Sequence, residues 1–176
     1  METEVKFLLY ENGTDYRTPA GTELFPGNIS DLADKIKSQG KEIVQGYLPQ
    51  SLLEDVCRNA GITPEFNPLE IRVRSKGEKY FLTLKGNGTS TRDEQEVTID
   101  KKVFDMYLPH AIASIRKTRM EVPYRGLTAE VDAYHDRDLI TAEIEVHSPD
   151  KLNEIQSLGL DVTSDKAYKN KNLARR

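Results

Sequence analysis

Alternation of charged and apolar residues constrains this chain more than any other feature of its sequence. In the opening stretch METEVKF, Glu2, Glu4 and Lys6 alternate with Thr, Val and Phe. Successive side chains of a strand point to opposite faces, so the three charges share one face and the apolar residues the other. The pattern predicts a strand with one polar and one apolar face.

Six later segments repeat this alternation: LEIRVR, YFLTLKG, RDEQEV, KTR, EVDAY and AEIEV. Most of them carry charges at positions i and i+2, often of one sign within a strand. Like charges that close repel each other by a few tenths of a kcal/mol or more per pair. A solvated sheet face would explain one such strand. Its repetition in seven strands indicates a charged face that turns toward a ligand.

The polar faces therefore point inward and the apolar faces point outward, toward amphipathic helices. Short turns between the strands favour antiparallel pairing. The sequence predicts a mainly β (α+β) fold, a closed or nearly closed antiparallel eight-stranded β-barrel tunnel with a polar lumen and flanking helices. The strands are predicted at 2–9, 42–48, 69–75, 79–85, 92–99, 114–122, 128–135 and 139–147.

Helix signals separate these strands. Helices are predicted at 30–39, 51–60, 100–113 and 148–158. A capping box from Ser51 to Glu54 marks the second helix, and Pro149 marks the start of the last. Residues 11–29 are predicted to be a surface excursion, and KGNGTSTR a hairpin connection. The charge of Arg116 on the apolar face of its strand is the poorest fit to this scheme.

Composition excludes several classes of protein. A net charge of −4 and a pI near 5.5 argue against binding to a nucleic-acid duplex or a membrane surface. The single cysteine, Cys57, rules out an internal disulfide and is predicted to be buried in a helix.

Without a leader or membrane-span signal, we expect a cytoplasmic protein. Its 176 residues predict one domain over 1–176, with insert-like excursions at 10–42 and 50–66.

The ordered set of motifs resembles the CYTH superfamily, also called triphosphate tunnel metalloenzymes. METEVK is similar to the family's E-x-E-x-K, LEIRVR to R-x-R, YFLTLKG to Y-x-L-T-x-K, RDEQEV to R-x-E-x-E and KTR to K-x-R. EVDAY and AEIEV are similar to its late acidic strands. The tail DVTSDKAYKNKNLA resembles the ending V-T-x-D-x-x-Y-x-N-x-x-L-A. The sequence departs from the family at 10–42 and 50–66.

This resemblance implies a tunnel that holds a linear triphosphate and one or two divalent cations, Mg²⁺ or Mn²⁺. The implied metal ligands are Glu2, Glu4, Asp132, Glu143 and Glu145. The implied phosphate-binding residues are Lys6, Arg72, Arg74, Lys85, Lys117 and Arg119. The implied catalytic residues are Glu94, Glu96 and Lys85, the two glutamates lying near the metal or the attacking water.

The charges of these residues agree with metal-dependent binding. The six basic and seven acidic side chains nearly cancel, so the lumen alone would hold an anion poorly. Two divalent cations would make it about +3, which suits a triphosphate of roughly −4 to −5. Hard cations prefer carboxylate oxygens, and the three histidines show no ligand spacing.

The identity of the triphosphate is less constrained by the sequence. We expect hydrolysis of inorganic tripolyphosphate, because the chain has no Trp and only 7% aromatic residues with which to stack an organic group. The alternatives are a class IV adenylate cyclase, a nucleoside, thiamine or RNA 5′-triphosphatase, and a non-catalytic polyphosphate-binding module. The sequence leaves the oligomeric state open, a homodimer included.

Overall fold

The computed structural model describes residues 2–87 and 91–174, the side chains of Glu2 and Thr91 excepted. The strands are β1 (Glu2–Glu11), β2 (Thr14–Asp15), β3 (Lys41–Tyr47), β4 (Glu70–Lys76), β5 (Lys79–Lys85), β6 (Thr91–Arg92), β7 (Glu94–Thr98), β8 (Ala113–Tyr124), β9 (Leu127–Tyr134), β10 (Leu139–Val146) and β11 (Leu160–Asp161). The α-helices are α1 (Pro19–Leu24), α2 (Ile29–Gln39), α3 (Leu53–Ala60), α4 (Lys101–Tyr107), α5 (Pro149–Leu152) and α6 (Asn170–Leu173).

The strands form one antiparallel sheet in the order β11-β1-β10-β9-β8-β3-β4-β5-β7. A single residue separates β6 from β7. The strand β6 pairs with β1, whereas β7 pairs with β5. The segment 91–98 therefore touches both ends of the sheet and brings them together. The predicted fold class, a mainly antiparallel and nearly closed eight-stranded tunnel, is confirmed.

The apolar faces of the strands point outward, as the alternation predicts. Val5 and Phe7 of β1 belong to a buried cluster with Leu32 and Ile36 of α2. A second cluster joins the outer faces of β4 and β5 to α3 and α4. The helices thus cover the outside of the barrel, and the charged faces are left to line its interior.

One end of the lumen is apolar, which the charge pattern did not predict. Leu8, Ile115 and Tyr134 extend the inward faces of β1, β8 and β9 beyond the charged positions, and they pack with Leu173 of α6 in a third buried cluster. The carboxyl-terminal segment 162–174 closes over this end. The charged part of the lumen therefore ends at an apolar floor.

Three helix predictions are wrong in detail. The α-helix predicted over 100–113 ends at Tyr107, and a 3-10 turn follows to His110. The predicted capping box does not form, because Gln50–Leu52 make a 3-10 turn and α3 begins at Leu53 without a side-chain cap. The helix predicted over 148–158 ends at Leu152. The chain then extends so that Leu158 is fully buried against the excursion at 11–29, where its carbonyl oxygen accepts a hydrogen bond from the backbone N–H of Thr18.

The predicted surface excursion also contains a helix, α1, whose N-cap Thr18 accepts from the Gly21 backbone N–H. Cys57 is buried in α3, as predicted, and the buried setting raises the pKa of its thiol. Across the described ranges, no helix is long and apolar enough to span a membrane. The central part of the predicted KGNGTSTR connection lies outside the described residues.

Arg116, the poorest fit to the pattern, faces outward and is exposed to solvent. Its side chain is 61% exposed and forms an ion pair with Glu42 of the neighbouring strand at 2.8 Å. The charge is therefore a solvated feature of the outer surface, which removes the conflict with the alternating pattern.

Candidate functional site

The charged faces of the strands surround a cavity of about 240 Å³. Strands from both halves of the sheet contribute to its walls. The acidic side chains that line it are Glu4, Glu94, Glu96, Glu130, Glu143 and Glu145, and the basic ones are Arg72, Arg74, Lys76, Lys85 and Arg119. Both charge signs predicted for the lumen thus meet in one space.

Two arginines of β4 face this cavity, and neither forms an ion pair with a carboxylate of the described residues. Arg72 is 3% exposed, and its Nε is buried and lacks a hydrogen-bond partner within the described residues. Its Nη2 donates to Thr83 Oγ1 at 3.3 Å, and Arg74 Nε donates to Gln45 Oε1 at 3.2 Å. Burial and the charge of Arg72 lower the pKa of Arg74 to about 10. Two unneutralised guanidinium groups side by side suit an anionic ligand.

Asp132 lies at the centre of a different, internally paired group. Register places it directly opposite Arg119, whose Nε and Nη2 donate to its two carboxylate oxygens at 2.7 and 2.9 Å. Lys117 Nζ lies 2.7 Å from the same carboxylate. Burial opposes ionisation of Asp132, but Arg119 and Lys117 hold its pKa below the ordinary value. Both of its oxygens are therefore already engaged by cations.

The ammonium groups of Lys6 and Lys117 are buried at the inner end of the cavity. Burial lowers the pKa of Lys117 to about 7, although Asp132 opposes the change, and burial also lowers the pKa of Lys6. Lys6 Nζ donates to the carbonyl oxygen of Tyr168 at 2.5 Å and to Asn170 Oδ1 at 3.3 Å. The carboxyl-terminal segment thus supplies partners for lumen lysines.

Glu4 and Glu143 form a pair of neighbouring carboxyl groups. The charge of Glu143 and then burial raise the pKa of Glu4 to about 8, and the two side chains hydrogen-bond to each other. Glu143 keeps a lowered pKa because Lys6 and other cations outweigh its burial. Glu145 lies opposite Glu4 in the β1–β10 register, on the same inward face. This wall holds excess negative charge that a cation or a proton must balance.

The remaining predicted residues lie between these groups. Lys85 Nζ lies 3.3 Å from Glu94 and 3.8 Å from Glu4, so it links two walls of the cavity. Glu96 accepts a hydrogen bond from Thr83 Oγ1 at 2.8 Å. Glu94 and Glu96 are on β7 and line the same cavity as Glu143 and Glu145 of β10.

Residues 63–176 match the CYTH domain. The chain belongs to the CYTH family. An inorganic triphosphatase of Nitrosomonas europaea is 35% identical over 125 residues, which cover 66% of this chain and 82% of that relative. An inorganic triphosphatase of Acetivibrio thermocellus is 32% identical over 143 residues, or 77% of this chain and 90% of the relative.

Solved structures agree with this membership of the CYTH family. The crystal structure of an inorganic triphosphatase, 27% identical, aligns over 99% of this CYTH chain and 94% of its own with a TM-score of 0.54. A Hippeastrum protein that is only 16% identical aligns over 88% of this chain and 83% of its own, also at 0.54, which shows the shared fold. The resemblance read from the motifs is confirmed.

Membership of the CYTH family implies a divalent cation, and the side chains that line this lumen are suitable ligands for one. They are carboxylates rather than thiolates or imidazoles, which suits a hard cation. Glu4 retains a proton in the metal-free protein because Glu143 is so close, and a cation would replace that proton. Within the described residues, no three candidate ligands already stand close enough to hold a metal ion.

The structure brings the predicted side chains to one cavity or its inner end, with Glu2 outside the described side chains. The charge pattern missed Gln45 and Asn170, which contact predicted phosphate-binding residues. Gln45 lies in a strand without charged alternation, so nothing in that pattern marked it. Asn170 did stand in the tail motif, but a motif position does not reveal that the tail enters the lumen.

Proposed function

We propose that this CYTH protein hydrolyses a linear triphosphate, with inorganic tripolyphosphate as its substrate, in the presence of Mg²⁺ or Mn²⁺. The observation that carries the proposal is the buried, unpartnered Nε of Arg72 facing the same cavity as the Glu4–Glu143 pair. Among the described residues, the first leaves a buried donor that an anion could use, and the second brings together two carboxyl groups that a cation could stabilise. A metal–triphosphate complex supplies both, and the two relatives named inorganic triphosphatase support this choice.

The basic residues would contribute to binding of the phosphate chain in different ways. Arg72 and Arg74 have donors available for bidentate contacts with phosphate oxygens. Lys117 and Arg119 are held in place by Asp132, so their positions are set before the substrate arrives. Lys6 and Lys85 would add contacts at the inner end and the middle of the cavity. Preset cations lower the ordering cost of binding.

Glu4, Glu143 and Glu145 would hold the divalent cation, and Glu2, the first residue of β1, is a further proposed ligand. Mg²⁺ usually binds proteins through one or two carboxylates and completes its shell with substrate phosphates and water. When bound, the cation would neutralise phosphate charge and lower the pKa of a coordinated water. Asp132 is a proposed ligand that would first have to release Arg119 or Lys117.

The reaction would be in-line attack of water on a terminal phosphorus, which breaks one phosphoanhydride bond and gives orthophosphate and pyrophosphate. Glu94 and Glu96 line the same cavity as the acidic residues of β10 and would orient this water or the metal. Lys85, between Glu94 and Glu4, would contact the phosphate oxygens whose negative charge grows during bond cleavage. Its ammonium attracts both carboxylates and so reduces the repulsion between them.

The size of the cavity favours an inorganic substrate. Its volume of about 240 Å³ is below the roughly 300–1,000 Å³ of pockets that enclose drug-sized organic molecules. Its lining is almost entirely charged, with Phe81 as an aromatic member, and its inner end is apolar and covered by the segment 162–174. A nucleobase or thiamine would have little surface on which to stack.

The test is phosphate release from tripolyphosphate, ATP and thiamine triphosphate, with Mg²⁺, with Mn²⁺ and with excess chelator. We expect orthophosphate and pyrophosphate from tripolyphosphate in the presence of metal, and much slower turnover of the organic triphosphates. Glu143→Gln should be inactive, whereas Glu42→Gln, on the outer surface, should match the wild type. Cyclic nucleotide from ATP, or tight binding without phosphate release, would refute the proposal in favour of a cyclase or a binding module.

A further inference from the structure

The carboxyl-terminal segment 162–174 is fixed to the barrel at several separate points. The Val162 backbone N–H donates to the carbonyl oxygen of Lys6 at 2.9 Å. Tyr168 OH donates to Glu11 Oε1 at 2.6 Å, and Arg137 Nη2 donates to the carbonyl oxygen of Leu173 at 2.5 Å. Because contacts on both sides hold it, the first residue of α6, Asn170, has a defined position over the lumen.

The side chain of Asn170 reaches three donors inside the barrel. Its Oδ1 accepts from Lys6 Nζ at 3.3 Å, from Lys117 Nζ at 3.4 Å and from Tyr134 OH at 3.2 Å. These donors come from β1, β8 and β9, and Lys117 Nζ also lies 5.5 Å from the centre of the Tyr134 ring. One neutral oxygen is therefore the meeting point of two buried ammonium groups.

The neutrality of this acceptor has a physical consequence. A buried ammonium needs hydrogen-bond acceptors, but a carboxylate acceptor would cancel its charge and repel a phosphate. An amide oxygen satisfies the hydrogen bond and leaves the positive charge in place. Asn170 also lines the 240 Å³ cavity and the smaller pocket on the tail side of Lys6, so it borders the space that an anion would fill.

We propose that Asn170 is a positioning residue whose amide oxygen holds the ammonium groups of Lys6 and Lys117 at the inner end of the cavity without placing a further negative charge beside them. Lys117 already faces the Asp132 carboxylate at 2.7 Å, so the positive charge that this neutral contact preserves for the phosphate chain is chiefly that of Lys6. This inference rests on the proposed function for its substrate, tripolyphosphate, and concerns a residue of the tail rather than of the charged strands.

The test compares three variants of the full-length protein. Asn170→Asp keeps the shape and adds a charge, and Asn170→Ala removes the acceptor. The matched control is Asn172→Asp on the same helix, where the exposed side chain donates to the carbonyl oxygen of Lys166 at 2.6 Å. This control adds the same charge and removes a hydrogen bond within the tail. Each protein is melted with and without tripolyphosphate and Mg²⁺, and kcat and KM are measured separately.

We expect Asn170→Asp to melt no lower than the wild type without ligand, because the new carboxylate meets two cations. It should lose most of the tripolyphosphate-induced rise in melting temperature and at least about tenfold in kcat/KM, chiefly through KM. Asn170→Ala should melt lower without ligand, and Asn172→Asp should keep the wild-type KM. If Asn170 only holds the tail, both of its variants melt lower and keep the ligand-induced rise, which would overturn the inference.

The outcomes separate this inference from the proposed function. If the wild type releases phosphate and Asn170→Asp behaves like Asn172→Asp, the inference fails and the function stands. If the wild type releases no phosphate but is stabilised by tripolyphosphate, and Asn170→Asp alone loses that stabilisation, the function fails and the inference stands. If tripolyphosphate stabilises neither protein, both fail.

Discussion

Replacing Arg72 by alanine should weaken triphosphate binding while leaving the ligand-free protein nearly as stable. The native side chain makes one hydrogen bond, to Thr83 at 3.3 Å, and its Nε has no partner among the described residues. Loss of that bond costs about 0.5–1.5 kcal/mol. Relief of the repulsion from Arg74 offsets part of this loss, so the free energy of unfolding should change by about 1 kcal/mol or less.

The effect on the complex should be larger. A charge-assisted contact from a guanidinium to phosphate contributes about 1.5–3 kcal/mol, which corresponds to roughly ten- to hundredfold weaker binding. At a ligand concentration of about 100 times the wild-type Kd, ligand stabilises the wild type by ~2.7 kcal/mol and a tenfold weaker variant by ~1.4 kcal/mol. Since about 1 kcal/mol shifts the melting temperature of a chain this long by roughly 2–4 °C, the difference is measurable.

The assay is a set of melting curves with and without tripolyphosphate and Mg²⁺, together with calorimetric titration of the ligand. Arg116→Ala is the matched control, because Arg116 is exposed and its ion pair with Glu42 lies on the outer face of the barrel. The control should lose about 0–1 kcal/mol of stability and keep the full ligand-induced shift. A large fall in ligand-free stability of Arg72→Ala with an unchanged ligand shift would show that Arg72 is structural, and the reasoning would fail.

Four further predictions concern the acidic side chains. Since the folded-state pKa of Glu4, about 8, exceeds its ordinary value of 4.5, the metal-free protein should lose stability as pH rises from about 4.5 to about 8, and Glu4→Gln should abolish this loss in pH-dependent melts. The same proton competes with metal, so Mg²⁺ titrations should show tighter binding as pH rises from 6 to 8. Glu143→Gln and Glu145→Gln should abolish metal-dependent phosphate release with unchanged circular dichroism. Asp132→Asn leaves Arg119 paired with Glu130 but deprives the buried Lys117 of its carboxylate, and should cost about 3–5 kcal/mol in urea unfolding.

Each of these has a clear contradicting result. Metal affinity that does not vary between pH 6 and 8 would show that Glu4 carries no competing proton. Wild-type rates at limiting metal would remove Glu143 or Glu145 from the proposed ligand set. An Asp132→Asn protein that unfolds like the wild type but needs far more metal would make Asp132 a ligand rather than the counter-ion of Lys117 and Arg119.

The sequence alone determined which face of each strand turns inward. Strand alternation is a local property with a period of two residues, so the charges of LEIRVR or AEIEV could be assigned to a common face before any pairing was known. The residue types then limited the chemistry, because carboxylates and guanidinium groups suit hard cations and phosphates. Because strand alternation is local, the predicted tunnel fold agrees with the structure.

Helix ends were less predictable because they compete with packing. The helix expected over 148–158 stops at Leu152, and the burial of Leu158 against the excursion at 11–29 accounts for the change. The capping signal at Ser51 was likewise overridden. The segment Gln50–Leu52 forms a 3-10 turn instead, and the side chain of Gln50 donates a hydrogen bond to the carbonyl oxygen of Pro68. A helix cap contributes only about 1 kcal/mol to stability, so tertiary contacts of this kind can outweigh it.

Only the tertiary structure decided which charges are paired and which are free. The register that sets Arg119 opposite Asp132 neutralises both, whereas Arg72 on β4 meets Thr83 and keeps its charge. Asn170 reaches Lys117 from 53 positions further along the chain. Such partners depend on how distant segments fold together, and residue spacing along the chain holds no information about these distances. The electrostatics of the lumen therefore follow from the closed sheet and the tail that covers it.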